Sequence, residues 1–256
     1  GSQELAYRFL GIRSSEEAVV IMILASFAMI IVFGLTMIAE FYVHFNHQRL
    51  EAKFSVCTMD PPHVKWKLRG LYACFLSHYK MEAASDARYM HDMLRKMLRA
   101  PVFLDSSVLV DLRKLITEGV HKSDVMVLLA TQDVLTRPWC LIELLETVRK
   151  GIPVVIVQMA NSGFSLDGAR DFMLHLDDAM ERKNPAGIDI LHQRLGPDLG
   201  ELKDSVIRAI DANRDTQTVF DSRSGDHEIV ATMKDVIELM AKVAGRSITW
   251  SEDNGR

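Results

Sequence analysis

The stretch Thr131–Lys150, TQDVLTRPWCLIELLETVRK, decides the fold: an apolar strand breaks here into a polar loop, and a helix begins. The run before it, Asp124 to Ala130, is short and almost uninterruptedly apolar, as in a strand buried on both faces of a parallel sheet. Thr136 is the expected cap of the helix, Pro138 suits its first turn, and Gly151 follows its last periodic residue. Leu141, Leu144, Leu145 and Val148 form the stripe expected to pack on the sheet. Trp139 and Glu143, four apart, share a face near the helix N-terminus, so Glu143 is expected beside an aromatic plate at the carboxyl end of the strand. Open α/β sheets bind ligands at that end. A solvated glutamate favoured by the helix dipole is the alternative for the same position, and Glu146 with Lys150 reads as a surface pair.

Outward from this stretch the chain alternates strand and helix signals, which argues a parallel sheet with helices on both faces. Upstream, a strand is expected at about Gly70–Leu76, ending in the polar turn Ser77-His78-Tyr79-Lys80. A helix at about Ala84–Leu98 follows, with Ala87, Met90, Leu94 and Met97 as its buried stripe. A strand at Pro101–Leu104, a polar turn Asp105-Ser106-Ser107 and a helix at Asp111–Gly119 come next. Downstream, Ile152–Met159 (IPVVIVQM) reads as a fourth buried strand. A helix at about Leu166–Arg182, an edge strand at Ile188–His192 and a helix at Leu199–Ala212 complete a five-strand unit with right-handed crossovers. Thr216–Gly225 reads as a polar linker, and Asp226–Ala244 as a separate amphipathic helix carrying Ile229, Met233, Val236, Ile237 and Met240 on one side. That side needs a cover: the domain itself, or a partner or self-association helix.

Ahead of all this, Ala18–Ala39 carries no charge. As a helix it reaches about 33 Å, enough for a hydrocarbon core of about 30 Å. It reads as a membrane span rather than a signal peptide, because Glu40-Phe41-Tyr42 follows instead of a small-residue cleavage site. Arg49, Lys53, Lys65, Lys67 and Arg69 outnumber Arg8 and Arg13 across it, which places the larger part in the cytosol. The chain thus divides into a flank (1–17, opening on Gly-Ser and so reading as the start of a fragment), a span (18–39), a juxtamembrane helix and Pro-rich linker (40–64), an α/β domain (65–215) and a C-terminal linker and helix (216–256). The 256 residues carry a formal net charge of -4, which gives no electrostatic case for nucleic acid. Cys57, Cys74 and Cys140 form no C-x-x-C pair, and His44 and His47 have no carboxylate or thiol at ligand spacing, so neither a disulfide framework nor a metal site is expected. A reducing setting fits.

Four boxes in register resemble one family. Ala73-Cys74-Phe75-Leu76-Ser77-His78, Val102-Phe103-Leu104-Asp105, Ser123-Asp124-Val125 with its apolar strand, and Trp139-Cys140-Leu141-Ile142-Glu143-Leu144 are similar in order and spacing to the Toll/interleukin-1 receptor (TIR) domain, the last box to its plant-type members. The resemblance covers about Lys67–Asn213 and implies a flavodoxin-like five-stranded sheet of order 2-1-3-4-5. In that order Ser77 to Lys80 and Gln132 to Glu143 face each other across the crevice between strands one and three. Enzymatic members cleave the bond between nicotinamide and ribose in NAD, and the glutamate they require matches Glu143. The positions implied for NAD contact are Ser77, His78, Tyr79, Lys80, Asp105 and Trp139, with NAD as substrate and no cofactor. Two departures stand out: Tyr79 or Lys80 replaces the arginine that often follows the opening box, and the loop from Asp105 to Asp111 lacks the usual glycine.

Two functions follow. One is a membrane-tethered NAD hydrolase that self-associates through its TIR domain; the other is a TIR adaptor or receptor tail acting only by homotypic binding, to itself or to other TIR proteins. One carboxylate suffices for the first, because nicotinamide leaves a cation as a neutral molecule and needs no acid, unlike the alkoxide of most glycosides. A phosphoacceptor receiver is excluded by the absence of an acidic pair after the first strand, and P-loop hydrolysis by the absence of G-x-x-x-x-G-K. Cys140, inside a helix, reads as packing rather than a nucleophile.

Overall fold

The computed structural model describes residues 15–54, 61–104 and 115–251. The chain divides into two compact units, Gly1–Val56 and Cys57–Arg256. The described part of the first is one helix, α1 (Ser15–Phe54), whose segment Val19–Ile38 is 20 residues long and apolar enough to cross a membrane. Large apolar side chains of Val19–Ile38 are exposed on all its sides.

The second unit is built on a parallel sheet of β1 (Tyr72–Ser77), β2 (Val102–Leu104), β3 (Ser123–Ala130), β4 (Val154–Met159) and β5 (Thr218–Phe220), in the order β2-β1-β3-β4-β5. This is the flavodoxin-like arrangement. Period-two alternation divides β1, β3 and β4 between two cores. Cys74, Leu76, Val125, Val127, Leu129, Val155 and Val157 meet α2 (Lys80–Leu98) on one face. Phe75, Met126, Leu128 and Ile156 meet α3 (Pro138–Arg149) on the other, where α4 (Leu166–Leu174), α5 (Leu176–Lys183), α6 (Pro185–Leu195) and α7 (Gly200–Ala212) complete the layer. Leu141, Leu144 and Leu145 of α3 are fully buried, each contributing about 1.5–3 kcal/mol over an exposed side chain.

Three sequence expectations are corrected. Ile188–His192 is not an edge strand but part of α6: the Asn184 side chain accepts from Gly187 N at 3.1 Å, and Pro185 occupies the first turn. This cap starts a helix that buries Ile188 and Leu191 three apart on one side. The fifth strand lies instead within the expected linker, at Thr218–Phe220, with Phe220 fully buried and Val219 exposed. The expected single helix over Leu166–Arg182 is two, α4 and α5, parted at His175. The C-terminal helix α8 (Asp226–Val243) lays its apolar side on α2, β4 and β5, so the domain itself supplies the cover. Of the expected helix Asp111–Gly119, residues 115–119 form a π turn and the remainder lies outside the described residues.

A polar knot closes the amino end of the sheet. The Asp124 carboxylate accepts from Trp66 Nε1 (2.9 Å), Arg69 N (3.1 Å), Gly70 N (2.9 Å) and Arg246 Nη2 (2.7 Å). Arg246 Nη1 donates to the Lys67 carbonyl, and Ser251 N donates to His63 O at 2.8 Å. The first and last segments of the unit are thereby tied together beneath β3. Gly70 has no room for a side chain, since a Cβ there would lie 2.1 Å from Lys122 O.

Candidate functional site

β1 ends at Ser77, opposite Leu128 of β3, which runs on to Ala130, and the chain returns from β3 through a 3-10 turn (Val134–Thr136) into α3. Pro138 disfavours a helical backbone at the residue before it. Arg137 is accordingly extended (φ -96, ψ 113) and is the N-cap, with no side-chain cap hydrogen bond. Thr136, the expected cap, instead donates its hydroxyl to Asp133 O at 2.7 Å. From this start Glu143 falls in the second turn of α3, where Ser77 Oγ donates to Glu143 Oε2 at 2.6 Å. Both residues are buried, Ser77 at 1% and Glu143 at 7% exposure. The surface reading of Glu143 is therefore overturned in its geometry.

The two loops face each other along their length. His78 O accepts from the Cys140 thiol at 3.6 Å, the Arg137 guanidinium lies 3.9 Å above the Tyr79 ring, and Glu82 Oε2 accepts from Asp133 N at 3.2 Å. Glu82 reaches that amide from the first turn of α2, which Ala83 (φ -138, ψ 21) offsets from the rest of the helix. Lys80 opens the same turn and is exposed. Trp139 is half-buried, with Arg194 of α6 at 5.7 Å from its ring. Asp105 lies outside the described residues. Ser77, His78, Tyr79 and Glu143 thus come together with the start of α3 at the carboxyl end of β1, whereas the contact at Trp139 is to α6.

Burial pushes the Cys140 thiol far above its ordinary value, and the charge of Glu143 adds to the shift. Burial, with a smaller effect of Asp124, does the same at Cys74. Neither sulfur is a nucleophile in this state. Among the described residues no cluster of three or more His, Cys, Asp or Glu side chains is arranged to hold a metal ion.

No family model matches the chain, and no curated protein matches it. Among solved structures it is similar to the TIR domains of the activated Roq1 resistosome directly recognizing the pathogen effector XopQ, at 12% identity and a TM-score of 0.48. The match covers 66% of this chain and 99% of that one. The fold assignment here stands on the strand order and on the helices over both faces.

Sequence reasoning missed two polar groups in the same corner. Thr131, at the end of β3, is buried with no hydrogen-bond partner for Oγ1, and Arg137 Nε is buried without an acceptor. The signal available for Arg137 was its place before Pro138, which makes it the extended residue at the mouth of α3. For Thr131 the only signal was a hydroxyl ending an apolar strand.

Proposed function

We propose that this chain is a membrane-tethered domain of TIR type that self-associates and hydrolyses NAD to nicotinamide and ADP-ribose, or a cyclic variant, in signalling or defence. The observation that carries the reading is the buried hydrogen bond of 2.6 Å from Ser77 to Glu143 at the carboxyl ends of the central strands. A carboxylate buried between a sheet and a helix adds little to folding that an apolar residue of similar volume would not. It is, however, what a reaction through a ribosyl cation requires. In that reaction the bond between nicotinamide nitrogen and the anomeric carbon breaks, and its electron pair leaves with the neutral base. A water oxygen then bonds to the carbon and releases a proton. Glu143 would stabilise the developing positive charge and accept from the ribose hydroxyls, while Ser77 fixes the orientation of its carboxylate. In the cyclic variant a nucleophile within the substrate replaces water.

The apolar segment Val19–Ile38, with the basic residues that follow it, supports a tether whose sheet-bearing unit lies in the cytosol. Confinement at a bilayer raises local concentration and favours self-association. The adaptor reading has one observation in its favour: Glu143 is only 7% exposed, with the Ser77 hydroxyl already on its carboxylate.

The test is nicotinamide release from NAD by the unit 57–256, in solution and displayed on liposomes, beside Glu143→Gln. That unit carries the whole sheet and both cores, so it is expected to fold alone. The hydrolase reading expects release that falls about a hundredfold or more in the variant. Absence of release from a folded, self-associating unit establishes the adaptor instead.

A further inference from the structure

We propose that Arg137 is a binding residue for the diphosphate of a dinucleotide whose ribosyl end lies at Glu143; this rests on the hydrolase reading for the placing of that end. Two arginines in the described structure have Nε buried without an acceptor, Arg137 and Arg246. Arg246 has a counter-charge, donating from Nη2 to Asp124 at 2.7 Å. Among the described residues Arg137 has no carboxylate within ion-pair distance. What holds it is an aromatic plate: its guanidinium carbon is 3.9 Å from the centroid of the Tyr79 ring. Stacking engages the flat face of a guanidinium and leaves its Nη groups for an acceptor, the buried Nε lying out of a ligand's reach. Phosphate oxygens fit the edge that the Nη groups form, in paired hydrogen bonds.

The backbone fixes where the edge lies. Arg137 N donates to Val134 O and Leu141 N donates to Arg137 O, both at 3.2 Å, so the residue is pinned at the junction of the 3-10 turn and α3. The first turn of α3 has no side-chain cap, so its amides and dipole add to the pull on an anion. Tyr79 is two residues beyond Ser77, which bonds Glu143, so cation and carboxylate lie over the same end of β1. Arg137, the N-cap, and Glu143 are six positions apart, about 9 Å along the axis of α3. Both charges act on the Cys140 thiol between them, in opposite senses.

This end of the sheet is therefore polarised, with a carboxylate at Glu143 and, at Arg137, a guanidinium that no described carboxylate pairs. A dinucleotide carrying a cationic ring on one ribose is polarised in the complementary sense. Its ribosyl cation forms where the carboxylate is, and one pentose separates that carbon from the diphosphate. A neutral nucleoside would use the first end and leave the second unanswered.

Binding separates this from catalysis. The unit 57–256 is titrated calorimetrically with ADP-ribose and with adenosine, as wild type, Arg137→Gln, Arg137→Lys and Glu143→Gln, each with its melting temperature. Wild type and Glu143→Gln are expected to prefer ADP-ribose. Arg137→Gln is expected to lose that preference by at least about tenfold with its fold intact, and Arg137→Lys to keep part of it. Added salt should weaken ADP-ribose binding to wild type more than to Arg137→Gln. Equal ADP-ribose affinity in wild type and Arg137→Gln, or no preference over adenosine in wild type, overturns the assignment. A preference that depends on Arg137 without any nicotinamide release would sink the hydrolase reading and uphold the anion site. Release that needs Glu143, with KM unchanged in Arg137→Gln, would sink the anion site alone.

Discussion

Replacing Arg246 by alanine should cost the sheet-bearing unit about 3 kcal/mol, at the lower end of the range for breaking a buried ion pair. The Asp124 side chain is 2% exposed and that of Arg246 10%, so water cannot take the place of the lost guanidinium without opening the structure. Three donors remain on the carboxylate, Trp66 Nε1, Arg69 N and Gly70 N, and they keep the loss near the bottom of that range. Part of that cost is the stack of Arg246 on Trp66, 4.7 Å from the ring centroid, a contribution of about 0.5–2 kcal/mol. For a domain of this size each kcal/mol moves the melting temperature by about 2–4 °C, so a fall of about 6–12 °C is expected. Thermal and urea unfolding of the unit 57–256 measure it, and the cycle with Asp124→Asn isolates the pair. Asp124→Asn alone should be similarly damaging, because it strands a buried guanidinium. The double variant Asp124→Asn/Arg246→Ala should be well short of the sum. A drop below about 2 °C for Arg246→Ala, or strict additivity in the cycle, would refute the argument that the knot closes the amino end of the sheet.

Two further perturbations probe other joints. Asn213 is buried, accepting from Ile156 N at 3.0 Å and donating to Val154 O at 3.1 Å and Ala209 O at 2.8 Å, so Asn213→Ala strands β4 backbone groups and should cost about 1–3 kcal/mol in urea melts. A loss below about 0.5 kcal/mol would show that water reaches those groups. At the surface, the hydrogen bond from Lys203 holds the Asp177 carboxyl below its ordinary 3.8. A lowered folded-state pKa stabilises fully above 3.8, and the gain is lost as pH falls through the lowered value. Lys203→Gln should thus cost less than about 1 kcal/mol at neutral pH, given the pair's exposure, and the two unfolding midpoints should converge in acid. A gap independent of pH would assign the effect to something other than this pair.

Much of the fold was legible because its signals are long. Asp124–Ala130 and Ile152–Met159 are apolar enough to be strands only of a sheet covered on both faces, and the stripes of α2, α3 and α8 repeat over several turns. The fifth strand was not legible, because Thr218–Phe220 is three residues at an edge with a single buried side chain among polar neighbours. Ile188–His192 misled because I-D-I-L alternates like a strand, while the deciding signal, Asn184-Pro185, stands just ahead of it. At the site, the resemblance implied that the turn from Ser77 and the segment ending at Glu143 of the helix face each other, and their direct hydrogen bond follows from strand order plus helix phase. Arg137 and the Asp124 knot escaped for a different reason. Their meaning lies in partners 58 residues away for Trp66–Asp124 and 122 away for Arg246–Asp124, which no local period encodes.

The two ends of the sheet treat buried charge differently, and the difference bears on function: each holds an arginine with an unpartnered Nε, but among the described residues only Arg246 has a counter-charge. At the amino ends, Asp124 takes donors from Trp66, Arg69, Gly70 and Arg246 and a counter-charge with them, which is what folding alone demands of a buried carboxylate. At the carboxyl ends, Glu143 is buried against Ser77 while Thr131 Oγ1 and Arg137 Nε, in the loop leading to the same helix, have no partner. An apolar choice at each of those positions would fold at least as well, so stability does not explain them. A ligand that brings phosphate oxygens to the Arg137 guanidinium would supply the counter-charge that the described residues do not.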